Sequence, residues 1–209
     1  MNYEALADRL IEANKHINLT AITEKSAIMT LHIEDSLTLC PYIPKGAAVI
    51  DVGTGGGFPA LPLALARTDV RVTALDSTAK KLSFVRDTAK EFGLPLTTLC
   101  ARAEDAVKDR RESYDAAVSR GVAALSALCE LCLPFVKVGG VFIAMKAQRC
   151  EEELKAAEHA VAMLGGTFKQ KVDCALSDGT VHSLIIINKT SPTPEIYPRR
   201  WKDIKASPI

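Results

Sequence analysis

Residues 3–14 carry Leu6, Leu10 and Ile11 at helical spacing, which predicts a first helix. The spacing returns at Ile28, Leu31, Leu37 and Leu39 within EKSAIMTLHIEDSLTLC, and predicts a second helix ending near Cys40. Pro41, Pro44 and Gly46 then interrupt the chain. Beyond them short apolar runs alternate with helical periods. AAVIDV, DVRVTALD, LPLTTLCA, YDAAVSR and VGGVFIAMK read as strands. The helices between them start at FPALPLALA, run from about Thr78 to Phe92, and fill ALSALCELCLPFV. A charged helix, EEELKAAEHAVAML, precedes FKQKVDCAL and VHSLIIINK, two strands joined by the turn SDG.

Five strands separated by helices predict a parallel sheet covered on both faces, and the last two strands require an antiparallel ending. The expected architecture is α/β and Rossmann-like. It has a seven-stranded, mostly parallel sheet, an antiparallel C-terminal hairpin and an N-terminal helical cap. One domain over residues 1–209 is expected, with the cap at 1–45, the core at 46–190 and a basic tail at 191–209.

Composition narrows this little. Apolar residues make up 48% and charged residues 24%, ordinary for a globular protein. No apolar run approaches a membrane span, and the start MNYEALADRLIEANKHINLT has neither the basic opening nor the cleavage site of a signal peptide. A cytoplasmic protein, without membrane association and monomeric, is expected. Cys129 and Cys132 form a CxxC inside an apolar helix, with no second ligand pair at metal-binding spacing, so they read as buried thiols and no metal is expected. Net charge is +1, yet residues 189–205 hold Lys189, Arg199, Arg200, Lys202 and Lys205 against Glu195 and Asp203, a local basic patch.

The chemistry concentrates in VIDVGTGGGFPALPL, residues 49–63. Gly53, Gly55 and Gly57, with Thr54 among them, follow the first strand of the parallel set, where such sheets bind ligands. A dinucleotide loop would read GxGxxG, but Phe58 stands in place of the last glycine. Asp51, two residues before the first glycine, is unsuited to a pyrophosphate and suits a cationic ligand such as a sulfonium. Asp76 ends the second strand, 25 residues after Asp51, where a carboxylate can accept two ribose hydroxyls. Asp76 can also serve as a helix N-cap, a role for which Ser77 competes. Together these features describe S-adenosylmethionine better than a nicotinamide cofactor.

DVGTGGGFPALPLAL resembles the cofactor loop of the bacterial small-subunit ribosomal RNA guanine-N7 methyltransferases, the RsmG (GidB) family. The resemblance extends through HINLTAIT, LHIEDSL, ALDSTAKKLSFV, ARAED, YDAAVSRGVAAL, GGVFIAMK and YPRR, in order. The chain departs from the family's usual residues at Ala60, Gly121 and Ala147, and after YPRR it reads WKDIKASPI. The resemblance implies the S-adenosylmethionine-dependent methyltransferase fold, with cofactor contacts at Gly53, Phe58, Ala103, Glu104 and Arg120. It implies methyl transfer to guanine N7 in 16S ribosomal RNA, with naked RNA or the small ribosomal subunit as partner.

N7 carries a lone pair and no proton, so no catalytic residue is named. RNA contacts are expected from Lys146 and Arg149 at the pocket rim, Lys80 and Lys81, and Arg199 and Arg200 in the tail. His32 lies in an N-terminal motif and is a further candidate. Tyr197 and Trp201 flank the tail arginines, either stacking on bases or pinning the tail. A methyltransferase for another RNA or a small molecule shares the fold, as does a ribosome-associated module that binds the cofactor without turnover.

Overall fold

Each central strand is apolar on both faces, and successive side chains alternate between two cores. In the computed structural model, which describes residues 2–209, Val49 packs in one core and Ile50 in the other. Ile143 and Ile186 likewise face away from Phe142 and Ile185. All six are fully or almost fully buried, each contributing about 1.5–3 kcal/mol of hydrophobic stabilisation.

The strands are β1 (Ala48–Val52), β2 (Arg71–Asp76), β3 (Leu96–Cys100), β4 (Tyr114–Arg120), β5 (Val136–Ala147), β6 (Gly166–Ala175) and β7 (Val181–Lys189). They form one sheet in the order β3-β2-β1-β4-β5-β7-β6. Pairings among β1–β5 are parallel, whereas β7 runs antiparallel to both β5 and β6. The seven strands and their antiparallel ending match the pattern expected from sequence. Between β1 and β4 the strand order reverses, which opens a crevice at the carboxyl ends.

Helices α1 (Tyr3–Asn14), α2 (Lys25–Ile28), α3 (Asp35–Leu37), α4 (Ala60–Ala66) and α5 (Ala79–Glu91) bury Leu10, Ile28, Leu61 and Val85 in the first core. Helices α6 (Ala103–Ala106), α7 (Leu125–Cys132), α8 (Glu151–Met163) and α9 (Trp201–Ala206) serve the second. Asn2 caps α1 by accepting the Ala5 N–H at 3.0 Å. Cys129 and Cys132 are fully buried in α7, and burial pushes both thiols up. Among the described residues no helix is long and apolar enough to cross a membrane.

One element differs from expectation. The second helix runs unbroken from residue 25 to 37, but its middle, Met29–Glu34, is π-helical and lies between α2 and α3. Such turns insert a residue into the helical ladder and recur at functional sites. The basic tail is pinned to the core, as one of the two alternatives expected for Tyr197 and Trp201 has it. Tyr197 is buried, α9 forms, and Ile204 is fully buried in the second core.

Candidate active site

A cavity of about 460 Å³ opens at the carboxyl ends of β1, β2 and β4, within the size range of small-molecule sites. Its floor is the loop after β1. The Gly53 and Thr54 N–H groups donate to Leu75 O at 2.8 and 2.9 Å, tying the loop to β2. Gly53 has φ +78°, and a Cβ there would lie 2.5 Å from Val122 Cγ2. Gly55 has φ +56° and lines the cavity, and a Cβ there would meet no protein atom nearer than 4.0 Å. The loop therefore leaves room for a ligand close to its backbone.

Asp76 holds the loop from the neighbouring strand. Its Oδ2 accepts the Gly55 N–H at 3.0 Å, and its Oδ1 accepts the Thr78 N–H at 2.8 Å. Neither Asp76 nor Ser77 is the N-cap of α5: residue 78 is, and the Asp76 carboxylate accepts its N–H in a turn just ahead of the helix. A carboxylate offers about four lone-pair sites. Two are used here, which leaves two for hydroxyls.

At the β4 end, Arg120 meets the π-helical turn. Its Nη1 donates to Leu31 O and to Asp35 Oδ2, both at 2.9 Å. Its guanidinium lies 5.7 Å from the centre of the Phe58 ring, a cation–π contact. His32 stacks on the same ring, its centre 4.9 Å from that of Phe58. Burial, followed by the Arg120 charge, pushes His32 down to about 4, so the ring is neutral at pH 7. His32 Nδ1 lies 3.1 Å from Arg120 Nη2 and 3.2 Å from Leu31 O. Arginine can only donate, so Nδ1 accepts from it, and Nε2–H donates to Thr20 Oγ1 at 2.7 Å. Asn14 folds the preceding turn by accepting the Leu19 and Thr20 N–H groups, which brings both residues to the cavity.

At the β3 end, Ala103 and Glu104 open α6 and line the cavity. Glu104 Oε1 accepts the Trp201 N–H at 3.2 Å. Trp201 lines the cavity as well, as do Lys81 and Arg102.

The expected site residues Gly53, Thr54, Gly55, Phe58, Asp76 and Ser77 thus come together, and Ala103, Glu104, Arg120 and His32 join them. Asp51 does not face the cavity. Strand alternation gives it the same side as Val49, toward α4, where it is 0% exposed and its Oδ2 accepts the Ala60 N–H at 3.2 Å. Burial pushes its carboxyl up to about 7, opposed by the adjoining Thr54 hydroxyl and the Ala60 N–H. Asp51 Oδ1 and Thr54 Oγ1, though neighbours, reach no aligned hydrogen bond. Gly57 also lies behind the wall, where a Cβ would lie 2.5 Å from Leu61 Cδ1.

Three of the expected RNA contacts are placed otherwise. Lys146 is not at the rim; its Nζ pairs with Glu153 at 2.6 Å and donates to Ala123 O at 3.0 Å, beneath the start of α7. Arg149 is exposed and does not line the cavity. Arg199 is bound to Glu130 through its backbone N–H, Nε and Nη2 at 2.8, 2.9 and 2.6 Å. Glu130 is buried, and a buried carboxylate requires such a partner. Arg200 is exposed beside the cavity, in an open cup where it, Arg102 and Lys202 outnumber the carboxylates Glu104 and Asp105.

Residues 2–181 match the GidB family, described as rRNA small subunit methyltransferase G. Ribosomal RNA small subunit methyltransferase G of Moorella thermoacetica is 45% identical over 203 residues, 94% of this chain and 85% of that protein. The protein of the same name from Pelotomaculum thermopropionicum is 43% identical over 204 residues, 95% of this chain and 85% of its own. Among solved structures, an rRNA methylase from Streptococcus thermophilus superposes with a TM-score of 0.55 at 16% identity, over 76% of this chain and 95% of that one. That likeness bears on the fold, which agrees with the sheet order and the crevice at its switch point. The match across nearly the full length goes further: the chain belongs to the GidB family, the rRNA small subunit methyltransferases G.

Proposed function

We propose that this protein transfers a methyl group from S-adenosylmethionine to N7 of a guanine in the 16S ribosomal RNA of the small subunit. The carrying observation is the cavity at the strand ends, floored by a glycine loop and flanked by the Asp76 carboxylate, in a chain of this family.

The residues present suit that cofactor. Gly55 and Gly121 both line the cavity at positive φ, and a Cβ on either would meet no protein atom nearer than 4.0 Å. Asp76 has the lone pairs for two ribose hydroxyls. Gly53, Thr54, Phe58, Ser77, Ala103, Glu104 and Arg120 would complete the contacts. When bound, S-adenosylmethionine supplies an electrophilic methyl on a sulfonium, and guanine N7 receives it on an in-plane lone pair without losing a proton.

No side chain therefore has to take up a proton, and the protein's contribution is placement and exclusion of water. Arg120, fixed by Leu31, Asp35 and His32, walls one end of the cavity with Phe58. Its charge is balanced by Asp35, so that end need not repel a cationic donor. The target base has to leave its stack to enter, and Arg102, Arg200 and Lys202 beside the opening are placed to meet phosphates.

Incubating the protein with S-adenosylmethionine and unmodified small subunits, then cleaving the RNA with borohydride and aniline, tests the reading. A single new strand break at a guanine is expected. Transfer to another atom, or none, would reject it.

A further inference from the structure

Trp201 is the chain's one tryptophan and stands in the tail segment WKDIKASPI. It lines the cavity, and three anchors fix its place. Its backbone N–H donates to Glu104 Oε1 at 3.2 Å. Two residues before it, Arg199 is clamped to buried Glu130. Three residues after it, Ile204 is fully buried in the second core. Arg111 adds a further tie upstream, its Nη2 donating to Tyr197 O. The backbone that carries the indole is fixed before any ligand arrives, and the side chain packs, partly buried, against the second core, so little ordering cost remains for binding.

Its location tells which part of a ligand it meets. In the sheet order, β3 lies three steps from β4, roughly 14 Å at the usual strand spacing. Trp201 with Glu104 therefore closes the β3 end, opposite Arg120, His32 and Phe58. A ribose held by Asp76 on β2 can extend its substituents in two directions. Toward β1 and β4 lies the glycine loop, whose backbone suits a polar amino-acid group. Toward β3 lie Ala101, Ala103 and the indole, apolar surfaces suited to a flat ring.

We infer that Trp201 is a wall of the cofactor site and stacks on the adenine ring, so that the C-terminal tail serves cofactor binding. The inference rests on the reading of this cavity as the S-adenosylmethionine site. It assigns the tail a task other than the RNA contact expected from its basic residues.

The single tryptophan makes the test direct. The full chain is titrated with S-adenosylmethionine by calorimetry and by intrinsic fluorescence in parallel. Binding heat should be matched by a saturable change in emission with the same midpoint. Adenosine alone should change the emission, and methionine alone should not. Trp201→Ala should weaken binding about tenfold, and Trp201→Phe should retain most of the affinity. Heat without an emission change, a response to methionine but not adenosine, or undiminished affinity in Trp201→Ala would overturn the inference alone. Absence of binding heat in the unsubstituted protein would overturn the site reading and this inference with it.

Discussion

Asp35 Oδ2 accepts a hydrogen bond from Arg120 Nη1 at 2.9 Å, joining the helical cap to the end of β4 across 85 residues of sequence. Its other oxygen lies 2.9 Å from His182 Nδ1, on the antiparallel strand β7. The carboxylate is 1% exposed and the guanidinium 19%. One buried anion thus offsets a cation that walls the cavity.

Replacing Asp35 by Asn removes that offset while keeping an oxygen acceptor. Arg120 then presents an unbalanced positive charge to the cavity. The proposed sulfonium donor should suffer more than its neutral thioether product, S-adenosylhomocysteine. The ratio of their dissociation constants should move by on the order of tenfold toward the product. Calorimetry with both ligands measures it. Equal weakening of the two would show Asp35 to be a structural brace only.

Gly55→Ala separates backbone strain from lost space. Alanine at φ +56° costs about 1–2 kcal/mol, and the added methyl meets no protein atom nearer than 4.0 Å. Stability by urea denaturation should therefore fall only by that amount. Affinity for S-adenosylmethionine should fall more than tenfold, because the methyl occupies ligand space. A variant with the strain penalty and full affinity would move the ligand off the loop.

The sheet was legible from the sequence because its strands are apolar on both faces and the helices between them keep their period. The glycine loop was legible for the same reason: it follows a strand whose end is unmistakable. Asp51 was misassigned because proximity in sequence conceals alternation; counting from Val49 places it toward α4 rather than the crevice. The Arg199–Glu130 clamp spans 69 residues, which no local pattern reveals. A signal existed nonetheless, since Glu130 is the lone acid in ALSALCELCLPFV and a carboxylate buried there demands a cation. The π-helical turn has no periodicity of its own, and α9 is too short to show one.

The clamp gives a prediction about the tail. Glu130→Gln leaves the Arg199 guanidinium without its counter-charge and should cost about 1.5 kcal/mol, less than for a fully buried pair because Arg199 is 29% exposed and water can take up its charge. The local effect should exceed the global one. Trypsin should cut after Arg199 and Arg200 faster than elsewhere, and Trp201 emission should shift to the red as the indole reaches water. Uniform proteolysis with unchanged emission would place the tail's main support in Ile204 and Tyr197 instead.

Asp51 makes stability depend on pH with a definite sign. Its folded carboxyl is pushed up to about 7 from an ordinary value of 3.8, so between these values the native state binds more protons than the unfolded chain. Its stabilising contribution is full below 3.8 and is lost as pH rises through 7. His32 works in the opposite sense. Held at about 4 against 6.5, it adds stability as pH rises across that interval, so the two oppose each other there. Above pH 6.5 that opposition fades, to about 0.4 kcal/mol over the rest of the range, and the Asp51 contribution lost from pH 6.5 to 8 should be about 1 kcal/mol. Asp51→Asn, which cannot ionise, should gain that amount on the unsubstituted protein over the same range, as read from urea midpoints at the two pH values. Groups common to both proteins cancel in the difference. A difference that stays constant from pH 6.5 to 8 would mean that Asp51 is already ionised in the fold at pH 6.5, and that Thr54 and the Ala60 N–H outweigh its burial.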